Sequence, residues 1–206
     1  PTGGANVFFA IICGVIMWGI VHRAQTDLGI GLLEELRNKN LINIFASPLT
    51  FWEWLVSLLL FAFCKSCVTI VFGSLVAFIL YKVFLFTTLG WNLAPLFVLL
   101  VVNGWWIGLI VQTLIFRLTT KAQAAAWTFV WVIAPFCAVY FPLVNLPHWL
   151  QKCARFIPGS YVFEEMRHII AGAPVVWSNL AVAGALNLLY LAITIALVYR
   201  SYQKVL

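Results

Sequence analysis

Residues 49–82 read LTFWEWLVSLLLFAFCKSCVTIVFGSLVAFILYK, an apolar run interrupted by only two charged side chains, Glu53 and Lys65, before it closes at Lys82. A span of the hydrocarbon core needs about 20 such residues. The run is therefore long enough for one tilted membrane helix, or for a hairpin turning near Lys65. A hairpin would leave a short first arm, and its turn, Cys64-Lys65-Ser66-Cys67, holds neither Gly nor Pro. One long helix is the better reading.

The rest of the chain follows the same composition. Of its 206 residues, 64% are hydrophobic and 9% charged, against roughly 45–50% and about a quarter in soluble domains. An excess of that size finds its solvent in lipid. Four further apolar stretches, residues 5–21, 93–116, 122–141 and 180–199, bring the expectation to five spans in an all-α, polytopic single domain covering residues 1–206. Between the first two spans, residues 24–47 change character. They carry Asp27, Glu34, Glu35, Arg37 and Lys39 among Leu32, Leu33, Leu36, Leu41, Ile44 and Phe45. This patterning predicts an amphipathic surface helix or helix pair, ended by Pro48. Residues 142–177 hold Pro142, Pro147, Pro158 and Pro174, and predict two short helices, the second ended at Gly172.

The basic residues set the orientation. Placing residues 22–48, 117–121 and 200–206 in the cytoplasm puts seven Lys and Arg inside (Arg23, Arg37, Lys39, Arg117, Lys121, Arg200 and Lys204) and leaves four outside (Lys82, Lys152, Arg155 and Arg167). The same scatter excludes nucleic acid as a partner of the +6 chain, since phosphate binding needs clustered cations.

Catalytic and metal signatures are missing from the sequence. No G-x-x-x-x-G-K-[ST], H-E-x-x-H or G-x-S-x-G is present, and His22, His148 and His168 lie in different segments. Cys64-x-x-Cys67 has redox spacing but sits inside an apolar run with no His nearby, where thiols pack as small hydrophobes. Glu164 and Glu165 diverge by about 100° on a helix, and read with Arg167 and His168 as a surface helix carrying its own ion pairs. No catalytic, metal or cofactor site is expected.

Polar groups inside the apolar runs carry more weight. Lys65 is either a functional ion at membrane depth or a side chain snorkelling to the interface. Asn103, Gln112 and Asn187 should face protein or a cavity, and Lys65, Asn103 and Gln112 are the candidates for a translocation path. Gly104-x-x-x-Gly108 suits close helix packing. Trp18, Trp52, Trp54, Trp91, Trp127 and Trp177 fall where an interfacial aromatic belt would lie, with Trp105 and Trp106 in mid-span.

The order of parts is distinctive. A span is followed by a charged stretch ending in Leu41-Ile42-Asn43-Ile44-Phe45-Ala46-Ser47-Pro48-Leu49. Later come Phe141-Pro142-Leu143, Leu146-Pro147-His148-Trp149-Leu150 and Ile157-Pro158-Gly159-Ser160-Tyr161-Val162-Phe163-Glu164-Glu165-Met166-Arg167. Over nearly its whole length the chain resembles the membrane subunits of ATP-binding-cassette exporters of the type-2 permease family. The resemblance implies a cell-membrane permease that pairs with a second copy and docks separate ATPase subunits, which bind the ATP. It also implies six spans with both ends cytoplasmic, so this chain would lack the first span and the helix before it. It makes residues 24–47 the coupling region, with Glu34, Glu35, Arg37, Lys39 and Phe45 meeting the ATPase. It makes residues 146–172, with Pro147, Trp149, Pro158, Glu164 and Arg167, short outer helices dipping back into the membrane. The alternatives are an ATP-independent channel or secondary transporter, and a membrane-embedded enzyme.

Overall fold

A computed structural model describes residues 2–38, 50–118 and 123–203. It is all-helical over these residues, and four helices are long and apolar enough to cross a membrane. These are α1 (Thr2–Arg37), α2 (Phe51–Tyr81), α4 (Leu93–Leu118) and α8 (Trp177–Tyr202). The shorter helices are α3 (Leu85–Leu89), α5 (Gln123–Ile133), α6 (His148–Ala154) and α7 (Pro158–Ile170).

α2 is uninterrupted from Phe51 to Tyr81, with no turn at Lys65. Its start is fixed by a capping box. The Thr50 hydroxyl accepts the Glu53 N–H at 3.4 Å, while the Glu53 carboxylate accepts the Thr50 N–H at 2.8 Å. At the far end Lys82 takes the left-handed conformation, and its N–H returns to the carbonyls of Ala77 and Phe78.

Two expectations need correction. The first helix does not end at His22-Arg23, because α1 continues through the charged stretch to Arg37. Nothing between Val21 and Leu36 breaks a helix, since neither Gly29 nor Gly31 is followed by Pro. Nor is the stretch a surface element throughout: Ala24, Gln25, Leu28 and Leu32 are buried. Residues 39–47, including Lys39 and Phe45, lie outside the described residues.

The run 122–141 is not one span-length helix. α5 stops at Ile133, a 3₁₀ turn carries Ala134–Cys137 with Pro135 near its start, and Ala138 turns left-handed at φ 54°. Pro135 has no N–H to extend the ladder, and its ring crowds the preceding turn. Eleven helical residues rise only about 16 Å at 1.5 Å each, roughly half of a hydrocarbon core.

The core is built on the seam between α1 and α4. A Cβ on Gly104 would lie 2.6 Å from the Ala24 Cβ and 2.8 Å from the Val21 carbonyl oxygen, and one on Gly108 would lie 2.8 Å from the Leu28 Cβ. Only glycine admits this approach, which is the close packing that the 104–108 spacing predicts. α8 lies against the other side of α4, where Asn187 accepts the Trp106 indole N–H at 3.1 Å and donates to the Leu99 carbonyl at 3.0 Å. α2 flanks α1 and stays largely apolar and exposed, with Val68, Phe72, Ile79 and Leu80 on its outer face.

The two ends of the bundle are distinct. At one, Phe51 packs its ring on Tyr199 and Tyr202, and the Arg117 Nε donates to Ser201 at 3.3 Å. At the other, Phe8 meets Tyr81 edge-on, and residues 138–147 gather round the end of α7.

Candidate functional site

Lys65 sits near the middle of α2, about 21 Å from its start at 1.5 Å per residue. It does not reach along the helix toward an end. Its Nζ donates to the Asp27 Oδ1 at 3.1 Å, across to α1, and lies 4.1 Å from the centre of the Phe61 ring. One turn earlier on α1, the Arg23 Nε lies 3.0 Å from the other Asp27 oxygen. That second contact is a charge contact and not a well-aligned hydrogen bond, since Oδ2 accepts no hydrogen bond of good geometry. Asp27 is the buried member, its side chain 9% exposed, while Lys65 and Arg23 keep 35% and 42%.

Two cations thus hold one carboxylate between two apolar helices. Removal of such charges from water is costly unless they pair, and α1 and α2 supply the pairing directly. The cations open onto a cleft of about 470 Å³ between the two helices, lined also by Ile16, Gly19, Val68, Thr69, Phe72 and Gly73. Gly19 leaves room there, for a Cβ on it would come no nearer than 3.9 Å to Thr69.

The other two candidates for a path lie elsewhere. Asn103 and Gln112 are both fully buried on α4, and neither lines this cleft. The Gln112 amide donates to the Leu28 carbonyl at 2.8 Å and so braces α1 against α4. Among the described residues neither end of the Asn103 amide has a hydrogen-bond partner, and the side chain faces the start of α7 at Gly159. As expected, Asn103, Gln112 and Asn187 all point into protein.

Of the residues assigned to ATPase coupling, Glu34 and Arg37 are exposed on the last turns of α1. Glu35 lies in the same helix, but its side chain is outside the described residues, as are Lys39 and Phe45.

The segment 146–172 forms the two short helices α6 and α7. Pro147 precedes the first turn of α6, Pro158 opens α7 at its first helical position, and Gly172 follows its end at φ 80°. Leu150 and Ala154 are buried while Lys152 and Arg155 are exposed. Trp149 is largely exposed beside Phe136. The turn between the helices reaches the middle of the bundle: Tyr190, thirteen residues into α8, donates to the Phe156 carbonyl at 2.7 Å.

α7 is not the surface helix expected from its charges. Val162, Phe163, Glu165 and Met166 are buried. Its charged groups serve the irregular backbone around it. Arg167 donates to the carbonyls of Ala138, of Val139 at 3.1 Å and of Phe141 at 3.2 Å, and pairs with Glu164 at 3.1 Å. Glu164 in turn accepts the Leu143 N–H at 2.7 Å, and Glu165 accepts the Val176 N–H at 2.6 Å. Burial pushes the Arg167 pKa down, opposed by the Glu164 charge. These bonds satisfy carbonyls that the broken helix at Ala138 leaves without a ladder.

Trp18 also departs from the expected belt. It is 3% exposed against the Phe163 ring, whereas Trp52, Trp91 and Trp177 are exposed near helix ends. Arg23 and Asp27 are the site residues that sequence reasoning passed over. The available signal was their spacing of four on an unbroken helix, which places an ion pair on one face.

No protein-family profile and no curated protein matches this sequence.

Proposed function

We propose that the chain is the membrane subunit of an exporter whose energy comes from a separate ATPase, embedded in the cell membrane as a pair of permeases. The observation that carries this reading is the α6–α7 hairpin. Two short helices follow a broken apolar helix, fold back to the level of Tyr190 and return to the start of α8. Re-entrant outer helices in this place are what the type-2 permease resemblance implies. Non-helical backbone at membrane depth is tolerated where protein covers it, and the bonds of Arg167 and Glu164 supply that cover.

In this reading the end of α1 carries the ATPase contact. Glu34 and Arg37 stand exposed there, at the end of the bundle that also holds Thr50 and Arg117. α1 then runs from the ATPase contact past Asp27 to the α4 seam, so a push at Glu34 moves the cleft and the seam together. A coupling of this kind requires an element with two positions that both sites bias. Transport is the role of this chain, and ATP stays on its partner.

The test is co-purification. Glu34→Lys with Glu35→Lys is expected to leave the permease inserted and paired while its ATPase partner is lost, together with ATP-driven transport. Wild-type levels of both would refute the assignment.

A second reading, an ion-coupled transporter, draws on the Arg23–Asp27–Lys65 cluster. An ionisable group at membrane depth marks many ion pathways. Against it, no further carboxylate among the described residues continues a path from Asp27 within the long helices. Glu53 is engaged in its capping box and Glu34 is exposed. Transport that collapses with an ionophore and ignores ATP would favour this reading.

A further inference from the structure

We infer that the cleft between α1 and α2 binds a membrane-borne anionic amphiphile, a single carboxylate or phosphate carried on an acyl chain. The inference rests on α1 and α2 lying in the membrane and not on the ATPase partnership.

Charge complementarity names the occupant. The cluster holds two cations against one carboxylate, so one positive charge is left over. The three groups are also not equally placed. Asp27 is buried behind its partners and does not line the cleft, whereas Arg23 and Lys65 both do and keep free surface on it. A ligand entering between the helices therefore meets cations alone. In an apolar setting a surplus charge is costly and draws a counter-ion, and the guanidinium fork suits a carboxylate or phosphate.

The remainder of the wall fits an acyl chain. Ile16, Val68 and Phe72 are apolar, Gly19 leaves space between them, and Gly73 brings α2 close against Ile16 at one edge. The Thr69 hydroxyl already donates to the Lys65 carbonyl at 2.9 Å, so it has no proton left to give an anion. The volume of about 470 Å³ lies within the usual range for small-molecule sites. Val68 and Phe72 are 68% and 66% exposed, so the cleft opens sideways on the face that would meet lipid. An amphiphile can enter there with its chain still in the bilayer. A soluble anion would have to leave water and gain nothing from Ile16, Val68 and Phe72.

The experiment uses the purified chain in a neutral detergent, without any ATPase, and cis-parinarate as a fluorescent fatty-acid probe. Oleate and oleoyl-lysophosphatidate are expected to displace the probe, while oleoyl-lysophosphatidylcholine and inorganic phosphate do not. Arg23→Gln removes the surplus cation and leaves Lys65 on Asp27. It should weaken oleate binding about tenfold, the scale of one charge-assisted contact. Gly19→Leu fills the cleft without touching a charge, and should weaken binding at least as much. Both variants are checked for unchanged helicity and a monodisperse profile. Wild-type affinity in both variants would overturn the inference, as would equal competition by the zwitterionic lysolipid or by phosphate alone. Probe binding with no ATPase co-purification would retire the exporter reading only, and the reverse result would retire the binding site only.

Discussion

α1 presents two opposite kinds of interface on one helix. Toward α4 it is closed: Gly104 and Gly108 bring the backbones so near that a methyl group at Gly104 would overlap Ala24 and Val21. Toward α2 it closes only where Gly73 meets Ile16; beyond that contact a cleft of about 470 Å³ lies between the helices, and a methyl group on Gly19 meets nothing nearer than 3.9 Å. The closed side holds an amide, Gln112, bonded to the Leu28 carbonyl. The open side holds the three charges. Close packing and charge are thereby segregated. Helices in lipid associate through van der Waals contact, which requires small residues, while a buried ion cluster needs room for long side chains. A helix that must hold its neighbours and also border a cavity keeps the cavity and its charges apart from the closest contacts.

Substitutions at the glycines separate the two faces of α1 by the largest effect. Gly104→Val adds three carbons where even one has no space, and the atom in the way at Val21 is backbone. We expect a loss of about 3 kcal/mol or more, read as a failure to recover monodisperse protein or as a steep fall in thermal unfolding temperature in detergent. Recovery at wild-type level would mean that the seam is looser than described.

Charge removal comes next. Asp27→Leu leaves Arg23 and Lys65 facing each other beside the cleft. The expected cost is about 1–2 kcal/mol, held down because both cations are only partly buried and can turn apart into the cleft. Denaturant unfolding in mixed micelles measures it, and adding Lys65→Met to the same chain should restore part of the loss. A single variant as stable as wild type would show that the cluster makes no net contribution.

The smallest effect has the opposite sign. Gly19→Ala places a methyl group in open space on a helix, and should be neutral or stabilising by about 0.5 kcal/mol, chiefly because alanine restricts the unfolded chain. The same substitution at Gly104 should destabilise. If both move in one direction, the two faces of α1 do not differ as described.

Much of the fold could be read from the sequence, and its failures have physical causes. Continuous apolar runs without breakers gave α2, α4 and α8 within a few residues of where they lie. The spacing of Gly104 and Gly108 gave the seam. The charged stretch after Arg23 was misread because composition reports solvent preference one residue at a time. Arg23 is within one turn of Asp27, but the partner that ties Asp27 to a second helix is Lys65, 38 residues further along the chain, and no local window contains both. The run 122–141 failed for the reverse reason. Its hydropathy suits a span, yet hydropathy is blind to the hydrogen-bond ladder that Pro135 interrupts. Lys65 was legible as a candidate because it stood alone in an apolar run. Asn103 and Gln112 were legible as inward-facing, but their separation from the cleft depends on which face of α4 meets which neighbour. The role of Arg167 as donor to three carbonyls was hidden, since those carbonyls become available only once the helix breaks at Ala138.

α1 continues past Arg23 and brings Asp27 onto Lys65 in the middle of α2. A double-mutant cycle of Asp27→Leu and Lys65→Met, followed by unfolding in mixed micelles, measures whether the two side chains meet. If the pair forms as described, the double variant should be more stable than the sum of the single losses predicts, by about 1–2 kcal/mol. Strictly additive losses would mean that the two side chains do not meet, and would contradict both the continuous helix and the cleft built on it.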